Sequence, residues 1–192
     1  MLAGLIARFP ISMYGLGAVL LVQSRTGSYF TAGVVSASFA ISAAVGGPIT
    51  SRLVDRLGQN KLIPILLSLH VSTLLITIFL IIKEANLILV LLLGVISGAT
   101  VPTIGPFIRA RWKKATNNKQ QENTAFAMES VIDEVIFIFG PPLVTFLCVV
   151  LYDASGLLLA AILVTLGGIW LSGQKKTQPE VHIVGAEKGK AA

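Results

Sequence analysis

Two uncharged runs of the sequence, 29–50 and 62–82, flank a short charged segment at 51–61. A helix needs about 20 residues to cross the hydrocarbon core of a bilayer, because it rises about 1.5 Å per residue. Each run is long enough for one crossing, whereas the segment between them is too short to form a domain. Its charged residues must lie in water or among lipid headgroups. This pattern predicts a helical hairpin through a membrane, with Gly58 supplying a permissive backbone at the reversal.

The composition of the whole chain agrees with this prediction. The 192 residues are 54% apolar and 12% charged, and the mean hydropathy is +0.83. A soluble domain has about twice that share of charged residues, so the composition indicates an integral membrane protein. The one cysteine, Cys148, excludes a disulfide framework and a cysteine metal cluster. The net charge of +6 comes from basic residues between apolar runs, which indicate topology rather than nucleic-acid binding.

Six membrane spans are predicted along the chain, near 2–22, 29–50, 62–82, 87–107, 127–152 and 156–171. Together they predict an all-α transmembrane bundle over 1–173, followed by a polar, flexible cytoplasmic tail at 174–192. The second span is rich in small residues, which allow helices to approach closely in lipid. We therefore expect it to pack against other helices over much of its surface. His70, alone in the smooth third span, is interpreted as a packing or interface residue.

The basic residues of the turns are distributed unevenly between the two sides of the membrane. One side has Arg25 and Lys83, and the other has twelve basic residues: Arg52, Arg56, Lys61, Arg109, Arg111, Lys113, Lys114, Lys119, Lys175, Lys176, Lys188 and Lys190. Cytoplasmic loops carry an excess of Lys and Arg. Both termini are therefore expected in the cytoplasm, with Gly27 and Asn86 outside.

The six spans show a weak internal symmetry. The first and fourth are interrupted by Pro and Gly, the second and fifth have small or polar faces, and the third and sixth are smooth aliphatic helices. Two sets of three spans, inverted relative to each other, are typical of transporters, and the interrupted pair indicates the substrate path. The alternative is that Gly and Pro are simply common in membrane helices.

Four charged residues lie inside the predicted spans, and three of them are candidates for a site, whereas Glu134 points about 100° away from Asp133. Arg8 lies roughly 10 Å into the first span, where it either snorkels to the headgroups or pairs with an acid. Glu129 and Asp133 are one helical turn apart on one face of the fifth span. They predict a proton site or an ion pair with Arg8, or alternatively they cap the cytoplasmic end of that span.

The charged segment resembles a loop motif of the major facilitator superfamily. In that family, the loop between the second and third helices has the pattern Gly-x-Leu-Ala-Asp-Arg-x-Gly-Arg-Lys, which Leu53, Asp55, Arg56 and Gly58 match in register. Ser51 replaces the first glycine of the pattern. The resemblance implies that Asp55, Arg56 and Gly58 belong to a gating loop that closes the cytoplasmic side against the other half of the permease.

A second resemblance lies in the fifth span. Gly140-Pro141 is similar to the Gly-Pro pair in the fifth helix of antiporters of the same superfamily, although Val144 and Thr145 stand where those antiporters have glycines. The resemblance covers about 1–173 and implies the amino-terminal six-helix half of a twelve-helix bacterial permease. The chain is therefore expected to be a truncated or half-length product that is inactive alone.

Two functions of different classes are consistent with this sequence. The first is a secondary active transporter for a small organic solute, with proton-coupled efflux as the variant that the Gly-Pro pair suggests. The second is a non-transporting six-span protein of the membrane that acts through partner contacts. The expected partners are lipid, a small-molecule substrate, and a second six-helix half or another copy of the chain, in a bacterial inner membrane. No enzyme motif, cofactor or metal site is predicted.

Overall fold

The computed structural model describes residues 2–179, and six helical units in this range are long and apolar enough to cross a membrane. We number them as spans 1 to 6: Leu2–Thr26, Tyr29–Leu57, Gln59–Ile82, Leu87–Ala115, Lys119–Val150 and Ser155–Gly173. The described residues contain no β-strand. The predicted all-helical membrane fold with six spans is confirmed.

Several spans extend further than the apolar runs that predicted them. Span 2 continues through the charged segment to Leu57, so the predicted loop at 51–61 is mostly helical. The reversal is made by Gly58 alone, with a φ of 89°, a conformation that residues with a Cβ rarely adopt. Span 5 begins at Lys119 because the side chain of Asn118 accepts a hydrogen bond from the Gln121 N–H at 2.9 Å. Charged residues end the apolar run in each case, but they do not end the helix.

Spans 1 and 4 are interrupted where the sequence places prolines. Span 1 consists of the helices Leu2–Arg8 and Tyr14–Thr26, joined by the 3₁₀ segment Phe9–Ser12 that contains Pro10. Span 4 consists of Leu87–Thr100 and Ile104–Ala115. Its break includes Pro102, and the preceding residue has the extended backbone that a following proline requires. The two interrupted spans are the first of each set of three, although the break comes after 7 helical residues in span 1 and after 14 in span 4.

The six helices do not bury their surfaces equally. In the most apolar part of each span, 33–50% of the residues of spans 1, 3, 4 and 6 are buried, against 22% for span 2 and 17% for span 5. Span 2 packs on spans 1 and 4 with one face only. Its exposed surface carries large apolar residues such as Ile41 and Val45 beside a stripe of small ones, namely Gly33, Ala37, Ala40 and Ala44. The expectation that span 2 packs over much of its surface is therefore wrong for this bundle.

The first residues after span 6 are held against the bundle. Arg111 donates hydrogen bonds to the Gln174 carbonyl at 3.2 Å and to the Thr177 hydroxyl at 2.9 Å. Gln178 donates to Asn60 Oδ1 at 3.2 Å and accepts at its carbonyl from Lys114 Nζ at 2.8 Å. The prediction of a flexible tail does not describe these residues, and the remainder of that tail, from Glu180 onward, lies outside the described residues.

Candidate functional site

A cleft of about 580 Å³ opens in the bundle between its broken spans. Its walls come mainly from spans 1, 2, 4 and 5, with one contribution from span 6, Val164. Both interruptions form part of the wall, because Ile11 lies in the first and Val101, Pro102 and Thr103 form the second. Most of the lining is apolar or aromatic. Charged residues are confined to one end of the cleft: Arg8, Arg109 and Asp133.

Arg8 forms ion pairs with both predicted acids. Its Nη2 donates a short hydrogen bond to Glu129 Oε2, and its Nη1 lies 3.0 Å from Asp133 Oδ1. The second contact is close enough for an ion pair but is not aligned as a hydrogen bond, so Nη1 and Nε of Arg8 donate none. Because the Arg8 side chain is only 6% exposed, it is held inside the bundle rather than snorkelling to the headgroups.

The two acids differ in their surroundings. Glu129 is 1% exposed and accepts a second hydrogen bond, from Trp112 Nε1 of span 4 at 2.8 Å. Asp133 is 37% exposed, lines the cleft, and lies 3.8 Å from Arg109 Nη2. Glu129 lies well inside span 5, which begins at Lys119, so the alternative that it caps the helix is wrong. Two arginines face two carboxylates here, and their formal charges cancel.

The residues of the predicted gating loop lie away from this cluster. Asp55 and Arg56 are exposed near the end of span 2, and neither forms an ion pair with another residue in the described range 2–179. Gly58 is buried at the turn. The structure therefore separates the gating-loop residues from the cluster formed by Arg8, Glu129 and Asp133.

Gly140 of the predicted helix motif lies at a close contact between spans 5 and 1. A Cβ on Gly140 would lie 2.8 Å from Cβ of Ser12, in the 3₁₀ segment of span 1, and nearer still to its hydroxyl. Pro141 and Pro142 follow within the unbroken helix of span 5. Gly140 thus allows the interrupted part of span 1 to pack directly on span 5, opposite the cleft residue Ile11.

Sequence reasoning missed a polar network beside the cleft. His70 of span 3 is fully buried, with Nδ1 2.8 Å from the Ser97 carbonyl oxygen and Nε2 2.9 Å from the Tyr14 hydroxyl. The interpretation of His70 as a packing residue omitted both partners. Both partners are far from His70 along the sequence, so no local pattern indicated them, and the one signal was an ionisable residue in the middle of an apolar span.

Sequence reasoning also missed the role of Arg111, which it treated only as a topology signal. Arg111 is 6% exposed and donates from Nη2 to the Leu171 carbonyl at 2.9 Å and from Nε to Gln59 Oε1 at 2.7 Å. With its contacts to Gln174 and Thr177, it satisfies carbonyls at the end of span 6, where a positive charge is favoured by the helix dipole. Arg111 therefore joins the ends of spans 3, 4 and 6.

Comparison with known protein families identifies the family of this chain. The sequence model of the family described as Major Facilitator Superfamily matches residues 1–191. No curated protein and no solved structure matches the chain significantly.

Proposed function

The chain belongs to the major facilitator superfamily, whose members are membrane transporters, and from this premise we propose that its six spans form one half of a secondary active transporter for a small organic solute. In this proposal, the cleft is this half's share of the substrate path. A second six-helix unit completes it.

The observation that carries the proposal is the position of the two interrupted helices. Broken helices in equivalent places of two inverted repeats typically form the substrate site of a transporter. Here both breaks contribute to the wall of one cleft of about 580 Å³, a size suited to a small organic molecule. Irregular backbone at membrane depth is tolerated where it lines a cavity. The prolines explain why the two helices are interrupted, and the cleft explains why the interruptions are useful.

We assign proton coupling to Asp133 rather than to Glu129. Asp133 is half-exposed to the cleft and is paired through one contact of 3.0 Å and one of 3.8 Å, whereas Glu129 is enclosed by Arg8 and Trp112. Protonating Asp133 would leave two arginines facing one carboxylate and make this end of the cleft positive. The affinity for a charged solute would then depend on the protonation of one accessible group.

Spans 2 and 5 are proposed as the face that meets the second unit. They are the least buried helices, and the exposed Gly33 and Ala37 of span 2, which do not line the cleft, would allow close helix packing there. Asp55 and Arg56, which have no ionic partner within residues 2–179, would contact that unit on the cytoplasmic side and act as a latch. Another copy of the chain is one candidate for the second unit.

Protection of a cysteine in the cleft tests this function. Cysteine replaces Ala40, which lines the cleft, or Ala127, which is exposed outside it, in a chain carrying Cys148→Ala. Small organic cations, anions and neutral amphiphiles are screened for slowing of maleimide labelling. We expect at least one class of solute to slow labelling of Ala40→Cys but not of Ala127→Cys. This protection should depend on pH, and Asp133→Asn should remove the pH dependence. A cleft that no class protects, in membranes where both cysteines are labelled, would contradict a substrate path.

A further inference from the structure

We propose that His70 is a positioning residue that holds Tyr14 as a partition across the floor of the cleft and fixes the two broken spans relative to each other. His70 does this without lining the cleft, to which span 3 contributes no residue among those described. The inference goes beyond the transport proposal, since it concerns the shape of the cleft whatever the cleft binds.

The directions of the two hydrogen bonds follow from their partners. The Ser97 carbonyl can only accept, so Nδ1 of His70 carries a hydrogen and donates it over 2.8 Å. In the neutral ring, Nε2 is then an acceptor, and the Tyr14 hydroxyl donates to it over 2.9 Å. Both ring nitrogens of His70 are thereby satisfied inside the bundle, where an unpaired polar group is costly.

The two partners of His70 lie next to the two helix breaks. Tyr14 is the first residue of the second helix of span 1, directly after the interruption at Phe9–Ser12 and Met13. Ser97 lies one turn before span 4 is interrupted at Val101. Span 3, which is one continuous helix, therefore attaches through one side chain to both discontinuous spans. A displacement of either break must stretch one of these hydrogen bonds.

Tyr14 separates the cleft from a smaller space in the core. A cavity of about 30 Å³ lies behind it, lined mostly by apolar side chains that include Val35 and Leu74. Tyr14 and Phe39 form part of the wall of both spaces, and their ring centroids are 5.2 Å apart. Because Tyr14 is anchored by its hydroxyl to His70, its ring is kept between the two spaces.

Cysteine accessibility behind the partition tests the proposal. Val35→Cys, in a chain carrying Cys148→Ala, places a thiol of similar size at a residue that is 3% exposed and lines the inner cavity. We expect maleimide to label it slowly. Tyr14→Phe, which removes only the hydroxyl, should raise this rate about fivefold, the factor by which losing one buried hydrogen bond shifts a conformational equilibrium. His70→Leu should have a similar effect, and the double variant should add little to it.

Matched variants distinguish positioning from general loosening. Thr77→Val removes another buried hydroxyl from the wall of the inner cavity, but Thr77 bonds only to Thr73 of its own helix, at 2.7 Å. It should leave the Val35→Cys rate unchanged, and Ala40→Cys in the open cleft should be labelled equally fast in all variants. The proposal is overturned if Tyr14→Phe and His70→Leu leave Val35→Cys at its parent rate. Parallel acceleration at Val54→Cys, a residue that is 1% exposed and does not line the inner cavity, would equally overturn it by indicating loss of the fold.

Discussion

Arg8 and Glu129 form a buried charge pair whose two members depend on each other. Breaking such a pair by removing one partner typically destabilises a protein by about 3–5 kcal/mol, whereas replacing both with neutral residues is often close to neutral. The reason is that the remaining charge stays desolvated without compensation. Asp133 is a second and less buried partner for Arg8. If Glu129 is removed, Asp133 still neutralises part of the charge of Arg8.

A double-mutant cycle on this pair should reveal the coupling. Glu129→Gln keeps an acceptor for Trp112 but removes the charge, and we expect it to destabilise the chain by up to about 3 kcal/mol. Combined with Arg8→Met, the loss should be smaller than with Glu129→Gln alone, as measured by thermal unfolding of the purified chain. Arg109→Met, at a residue that is 51% exposed, is the control and should cost less than about 1 kcal/mol. Additive losses would argue against a coupled pair.

Gly140 is required by the contact between spans 1 and 5. Gly140→Ala introduces a methyl group into the space of Ser12, and overpacking of this kind typically costs about 1–3 kcal/mol. Gly33→Ala is the matched helical control, because a Cβ there meets nothing within 4 Å. We expect Gly140→Ala to lower the midpoint of thermal unfolding and Gly33→Ala to leave it equal or raise it. Equal effects of the two substitutions would mean that the contact between Gly140 and Ser12 can accommodate a methyl group without cost.

At the scale of single helices, the apolar runs predicted the number and order of the spans but not their ends. An apolar run such as 29–50 indicates which part of a helix lies in lipid, but not where the helix ends. Span 2 continues into water until the backbone conformation of Gly58 ends it. Prolines and glycines predicted the interruptions of spans 1 and 4, although other prolines lie inside unbroken helices: Pro48, Pro64, Pro141 and Pro142. The contacts of His70 and Arg111 were not predictable in this way, because their partners lie on other spans and packing alone brings them together.

The exposed end of span 2 gives a prediction for the assembled transporter. Asp55 has no ionic partner within residues 2–179, so we expect its carboxylate to be used only when a second six-helix unit is present. Asp55→Asn should then reduce turnover about tenfold while leaving the affinity for the solute unchanged, since Asp55 does not line the cleft. Initial rates of solute uptake into vesicles at several concentrations separate the two effects. A change confined to affinity would indicate a binding role instead.

For the whole molecule, the twelve basic residues on one side and two on the other predict the orientation in the membrane, with both termini in the cytoplasm. Tyr29→Cys reports the side of the first turn better than a cysteine at Gly27, because Gly27 has a φ of 68° whereas Tyr29 is helical and 71% exposed. In intact cells, an impermeant thiol reagent should label Tyr29→Cys and spare Asn117→Cys, both in a chain carrying Cys148→Ala. The reverse pattern would invert the proposed topology.

Spans 2 and 5 are the least buried helices of the bundle, and their exposed face predicts that this chain does not transport alone. Alternating access is a movement of one bundle against another, and the described residues form one bundle. Proteoliposomes that contain only this chain should show no flux of a solute that protects the cleft. Proton-dependent flux, accompanied by efficient cross-linking of chains through cysteines at Gly33 or Ala37, would show that two copies suffice.

Spans 2 and 5 are continuous helices of 29 and 32 residues, which correspond to roughly 44 and 48 Å against a hydrocarbon core of about 30 Å. Their residues beyond the predicted apolar runs all lie on the side of the basic residues. Because both helices line the cleft, we expect each to act as a lever when it tilts there. A tilt of about 10° there moves a tip roughly 25 Å away by about 4 Å, a distance set by helix length alone. Asp55 and Arg56 stand at such a tip, where a small rotation within the membrane becomes the largest displacement in the water.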